Sequence, residues 1–313
     1  MRWLAIALVS FSASAQQYPA KPVRIVVGYP PGGSGDFTTR IITDELSKGL
    51  GVSFVVENKP GAGGNIASEQ VAKSPADGYT LLNAWHHSIN LALYKSPGYA
   101  HKDFIPITKI ATGPTIVVVN NDLPVKSLTE LVAYARTNPG KLFVASAGFG
   151  STPNISATLF SAAAGVPLTQ VQFKGGGPAM QSVLAGDTHV AFSTAPTVMG
   201  MIRAGRLRAL AVSMKKGSPS VPGIPGTEEA GVPNYESTFW FGLYAPAGTP
   251  RAIVMRVHEA AVKGLSKPEV REKIAIQGMD ATPNASPEQF DAEIRAEGPT
   301  LEKLLRESGA KVE

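Results

Sequence analysis

The 313-residue chain is 43% hydrophobic and 17% charged, which excludes a disordered polymer and predicts a globular protein long enough for two domains. Its formal net charge of +5 is carried by dispersed Lys and Arg, with no basic run and little aromatic interleaving. That pattern argues against nucleic-acid binding and leaves a mild field that draws in small anions. The absence of Cys excludes disulfides, thiol catalysis, Fe–S clusters and Cys-type zinc sites, so the core rests on packing alone.

In chain order, Arg2, the apolar run Trp3–Phe11 and the small residues Ala13-Ser14-Ala15 predict a secretory signal peptide over 1–15, cleaved after Ala15. The apolar run is far short of the ~20 residues that span a bilayer. Beyond it, strand and helix signals alternate. Val23–Val27 reads as a buried strand and Phe37–Leu50 as a helix with Ile41, Ile42, Leu46 and Leu50 on one face. Phe54–Val56 and Tyr79–Leu82 read as strands with a helix over about 65–73 between them. The expected architecture is α/β, a largely parallel sheet with helices on both faces.

The second half repeats the pattern. Ile116–Val119 is a strand, and Ser127 with Glu130 makes a capping box for a helix through Arg136. Strands are expected at 142–146, 169–173, 190–193 and 208–212, and helices at 154–164 and 177–185. A Pro- and Gly-rich loop over 218–233 leads to a strand at 239–244 and three Pro-initiated helices, 250–265, 268–277 and 287–308. The resulting division is domain I at 19–117 plus 241–313 and domain II at 118–240, both Rossmann-like, joined by a hinge with a cleft between them.

Two glycine-rich turns occupy matching places in the two halves, each between an apolar strand and a helix start. The first comprises Tyr29, Pro30, Pro31, Gly32, Gly33, Ser34 and Asp36; the second comprises Gly148, Phe149, Gly150, Ser151, Thr152 and Asn154. A strand, a Gly turn and a helix start leave backbone N–H groups free, which suits an anion. Two such turns facing across a cleft predict closure on a small carboxylate. Asp36 is expected to cap its helix and orient the loop, and Asn154 either to cap or to touch the ligand. Trp85, His87 and Asn90 follow a strand and should open into the cleft, with Trp85 offering a flat face to an aromatic ring or packing in the core. Lys174 and Gly175, at a strand end, and Ser193 and Thr194, at another, complete the candidate contacts. His86 and His87 are adjacent, so their side chains diverge, and no metal site or cofactor is expected. No Gly-x-Ser-x-Gly elbow, His-Glu-x-x-His or phosphate loop is present, and Pro153 replaces the third Gly of a dinucleotide fingerprint, so an enzyme is not expected.

The segments Tyr18-Pro-x-Lys-Pro-Val-Arg-Ile-Val-Val, Pro30-Pro-Gly-Gly-x-x-Asp36, Val56-Glu-Asn-Lys-Pro-Gly-Ala-Gly-Gly64, Ser74-Pro-Ala-Asp-Gly-Tyr-Thr-Leu-Leu82 and Ala245-Pro-Ala-Gly-Thr-Pro250, with Lys174-Gly, Pro178-Ala179 and Glu229-Ala-Gly231, run in order along the mature chain. In this the chain resembles the extracytoplasmic solute receptors of tripartite tricarboxylate transporters, the Bug proteins. The resemblance implies a monomeric clamshell binding protein in the periplasm that delivers a carboxylate to one large and one small membrane subunit. Family ligands include citrate, other di- and tricarboxylates, acidic amino acids, nicotinate and terephthalate. His87 and Asn90 match the family pattern; Trp85 replaces a small residue and Asn154 a frequent His. The Trp85 replacement tilts the expectation toward an aromatic dicarboxylate such as terephthalate, with an aliphatic di- or tricarboxylate as the alternative. A periplasmic sensor feeding a signalling receptor would use the same site.

Overall fold

The computed structural model describes residues 18–85 and 87–307, without the side chains of His87 and Ser88. The expected signal peptide, 1–15, lies outside the described residues. The chain folds as α/β around one continuous sheet. Strand β1 (Val23–Val27) lies between β2 (Phe54–Asn58) and β3 (Thr80–Ala84), parallel to both. Three of the five β1 residues are buried β-branched side chains in succession, as a strand covered on both faces requires. Helix α1 (Ser34–Leu50) packs Ile42 and Leu46 into that core, with Ile41 and Leu50 at its margin. It starts three residues earlier than expected because Gly33, extended at φ −88° and ψ 174°, occupies the N-cap. Helix α2 (Asn65–Ala72) returns the chain to β3, and α3 (His87–Leu93) follows it.

The centre of the sheet departs from the parallel expectation. Strand β4 (Phe104–Val119) is 16 residues long, where only its last four read as a strand. Its first part pairs antiparallel with β9 (Thr238–Pro246), which in turn pairs antiparallel with β3. Bulges at Pro106/Thr108 and Lys109/Ala111 interrupt the alternation that would have revealed it. The last residues of β4 pair antiparallel with β7 (Val190–Thr194) and β8 (Arg208–Val212). Parallel pairing resumes from β7 to β5 (Phe143–Ser146) and then to β6 (Thr169–Gln172). The sheet is therefore parallel at its flanks and antiparallel where β4 and β9 bridge the two halves.

Helices α4 (Leu128–Thr137), α5 (Thr152–Ala164), α6 (Gly176–Ala185) and α7 (Ala195–Arg203) clothe the second half. Half of the expected capping box forms: the Ser127 hydroxyl accepts from Glu130 N–H, while the Glu130 carboxylate accepts from Lys126 N–H rather than from that of the cap. Helices α8 (Arg251–Leu265), α9 (Pro268–Ile276) and α10 (Pro287–Glu307) pack on the first half, with a two-residue strand β10 (Asp280–Ala281) on β4 between the last two. One apolar core lies in the first half, and two lie on opposite faces of the second-half sheet. Where β4 and β9 cross between halves, Thr115, Ser156, Ser213 and Tyr235 form a buried hydroxyl cluster. Burial pushes the Tyr235 hydroxyl up to about 12, so it stays protonated and can donate within that cluster. Among the described residues no helix is long and apolar enough to cross a membrane.

Candidate functional site

Each half ends its central strands at the same edge, and the helices that follow begin there. The cleft they enclose has a volume of about 60 Å³. Four helix N-termini border it: α1 after Gly33, α5 after Ser151, α6 after Gly175 and α7 after Thr194. One belongs to the first Gly turn and three to the second half. No Lys, Arg or His is among the described residues lining the cleft. Neutral donors and helix-end partial charges are thus what it offers to an anion.

Several donors are held ready. Ser34, Thr152 and Ser193 are buried, and their hydroxyls bond to no other group among the described residues. At the start of α5, Ser151 Oγ accepts from Asn154 N–H and donates to Gly148 O, while Pro153 has no N–H. Thr152 N–H is then the first-turn amide left open to the cleft. The Thr194 and Thr197 hydroxyls pair at 3.0 Å on the α7 turn. The apolar wall comes from Pro30, Pro31, Pro153 and Ala147, with Phe241 of β9 and Tyr29 meeting edge to face at 5.6 Å.

Of the residues expected from sequence, Tyr29, Pro30, Pro31, Gly33, Ser34, Ser151, Thr152, Gly175, Ser193 and Thr194 line the cleft. The others stand behind or beside it. Asp36 faces its own loop: Oδ2 accepts from Gly32 N–H at 3.0 Å and from Arg40 at 2.9 Å, and Oδ1 accepts from Arg40 and Asn58, each at 3.0 Å. Burial alone would raise this carboxyl, but the bonds from Arg40, Gly32 N–H and Asn58 outweigh it and hold it below its ordinary range. A folded-state value below the unfolded ~3.9 means the contribution is complete above that pH and is lost as pH falls through the folded value. Asp36→Asn is therefore expected to cost about 1–2 kcal/mol at pH 7 and nothing at the acid end, read by urea unfolding of both proteins from pH 7 down to 3. A penalty independent of pH would mean the charge is not what pins the turn.

Asn154 braces the second turn instead of reaching the cleft, accepting from Gly150 N–H at 3.0 Å and donating to Gln170 Oε1 at 2.8 Å. Gly148, Phe149 and Gly150 of that turn, and Gly32 of the first, are outside the cleft lining. Asn90 sits beneath the 61–64 turn and donates to Gly63 O at 3.0 Å. Lys174 is exposed and outside the cleft lining. Trp85 is 6% exposed and belongs to the first-half core. It lines a separate internal cavity of about 10 Å³ behind Tyr29, room for about one water. Trp85 is thus packed within the first-half core, although β3 pairs directly with β1 and ends beside it. His86 and the His87 side chain lie outside the described residues.

Sequence reasoning missed Gly35, Ala147, Pro153, Gly176, Gly177, Thr197 and Phe241. For Thr197 a signal existed: Thr194-Ala-Pro196 after an apolar strand is another strand-to-helix start with Pro in the first turn. Phe241 gave none, since only the pairing of β9 with β3 and β4 brings it near Tyr29.

The family model for the tripartite tricarboxylate transporter family receptor matches residues 38–304. BugT of Bordetella pertussis is 34% identical over 315 residues, covering 99% of this chain and 96% of its own. An R. palustris protein solved with adipate superimposes with a TM-score of 0.89 at 35% identity, covering 93% of this chain and 98% of the other. MatC from Rhodopseudomonas palustris, solved with bound malate, gives 0.86 at 30% identity, covering 92% and 100%. The family consists of substrate-binding receptors rather than enzymes. With the family's model matched over most of the chain, the chain belongs to the tripartite tricarboxylate transporter receptor family.

Proposed function

We propose that the chain is an exported, monomeric receptor that closes on a short aliphatic dicarboxylate and passes it to one large and one small membrane subunit of a tripartite transporter. The observation that carries this reading is the convergence of four helix N-termini and three uncommitted buried hydroxyls on one cleft. The N-terminal pattern of Arg2, an apolar run and Ala13-Ser14-Ala15 supports export to the periplasm. The lobes are 19–117 plus 241–313 and 118–240, with β4 and β9 as the hinge, since those two strands carry the antiparallel pairing between halves.

The choice of an aliphatic over an aromatic acid rests on three supports. Trp85, the residue that suggested ring stacking, is packed outside the cleft. The cleft is small, about 60 Å³, so a chain that bends fits it better than a rigid ring with opposed carboxylates. Two similar receptors were solved with malate and with adipate. The test is thermal unfolding of the mature protein against malate, adipate, citrate, glutamate, benzoate, the phthalate isomers and protocatechuate. Malate or adipate should raise the melting temperature in a concentration-dependent way. A rise with aromatic acids alone would overturn the aliphatic assignment, and silence across the panel in protein stripped of ligand would overturn the receptor reading for carboxylates.

A further inference from the structure

Away from the ligand donors, the two halves meet again at one edge of the cleft. Tyr94, just past α3, donates its hydroxyl to Phe149 O at 3.1 Å. The rings of the same two residues meet edge to face at 5.7 Å. Beside them, a Cβ on Gly63 would stand 3.0 Å from Phe149 O, and one on Gly150 would stand 3.1 Å from Asn90 Oδ1. Asn90 and Tyr94 are one helical turn apart, and Tyr94 N–H bonds to Asn90 O, so they present one face to the second half.

The bond has a particular target. The peptide between Phe149 and Gly150 is held at both ends: its carbonyl by Tyr94 from the first half, its N–H by Asn154 from the second. That peptide belongs to the turn whose next residues, Ser151 and Thr152, line the cleft. Its orientation decides whether a carbonyl oxygen or donors face an anion. Tyr94 fixes the direction of that carbonyl, and can do so only when the halves are together.

We infer that Tyr94 is a closure latch and a positioning residue for the ligand: it bonds the second Gly turn only in the closed form and fixes that turn with its donors toward the carboxylate. The inference rests on the receptor reading above. Differential bonding to one of two states shifts the population toward it, so the latch adds to affinity by slowing release. The contact belongs to the closed state and contributes nothing to the open one.

The test uses the full mature Tyr94→Phe protein, which keeps the ring contact and loses the hydroxyl. Malate and adipate are the probes, with stopped-flow rates and melting temperatures measured with and without each. Dissociation should become about fivefold faster, the size of one neutral hydrogen bond, with association little changed. The ligand-free melting temperature should stay at the wild-type value, while small-angle scattering shows that saturating ligand still contracts the protein but at higher concentration. Unchanged dissociation would overturn the latch. So would an equal drop in melting temperature with and without ligand, which would make the bond a permanent part of the fold. A wild-type protein that binds neither probe would instead remove the receptor reading, and the latch with it.

Discussion

Replacing Gly175 with Ala is expected to weaken carboxylate binding between about fivefold and about a hundredfold, more than it lowers the stability of the ligand-free protein would suggest. Gly175 caps α6 with φ 113° and ψ 173°, a backbone region that is essentially restricted to glycine. An added Cβ would stand 2.6 Å from Pro30 Cγ, on the opposite Gly turn. The variant therefore carries two separate costs. The backbone strain, about 1–3 kcal/mol, acts in open and closed forms alike. The clash with Pro30 acts only when the two turns are brought together. It raises the closed state by an overpacking cost of about 1–3 kcal/mol, and the apparent dissociation constant rises with the fraction of closed protein lost. Isothermal titration with malate or adipate, set beside urea unfolding without ligand, separates the two. An affinity unchanged while stability falls would show that Pro30 and Gly175 do not meet in the ligand-bound form.

The second large effect concerns Trp85. Trp85→Ala is expected to lower the unfolding free energy by about 3–5 kcal/mol, the cost of removing a large buried aromatic from a packed core. Trp85→Phe, which keeps much of the volume, should cost less, and it should leave the order of preference among carboxylates as in the wild type. The reason is placement: Trp85 is in the first-half core beside Ala84 and Ile89, and the internal cavity it lines is separated from the cleft by Tyr29. Urea unfolding and the carboxylate panel read the two consequences independently. A Trp85→Phe protein that keeps its stability but changes its ligand order would restore the stacking role and refute the packing one.

The electrostatics of the cleft explain why these geometric variants matter so much. No described lining residue carries positive charge, so attraction to an anion comes from helix ends and hydroxyls whose contribution falls away within a turn. A lysine could follow a displaced ligand by changing rotamer; a helix N-terminus cannot. Affinity then depends on how accurately the two halves bring their turns together. That places the burden on residues behind the lining, such as Asp36 under the first turn and Asn154 under the second, and on the fit of Pro30 against Gly175.

What the sequence by itself determined was local. The apolar runs of β1, β3 and β7 announced buried strands, Ser127 and Glu130 announced a helix start, and the glycines of both turns announced strand-to-helix turns. These features are written in neighbouring residues, because hydrogen bonding at a turn or cap spans only three or four positions. The ordered family segments carried the receptor fold with them. Tertiary structure alone decided the rest. That Trp85 is packed within the first-half core shows only in the folded chain, since its place after an apolar strand suits a cleft or a core position equally. The long course of β4 was hidden by Pro106, Gly113 and two bulges, since the alternation that marks a strand fails where an extra residue is inserted. Phe241 reached the cleft only through the pairing of β9 with β3 and β4, and Tyr94 met Phe149 only through the approach of the two halves. Such contacts join residues far apart in the chain, and no local periodicity records them.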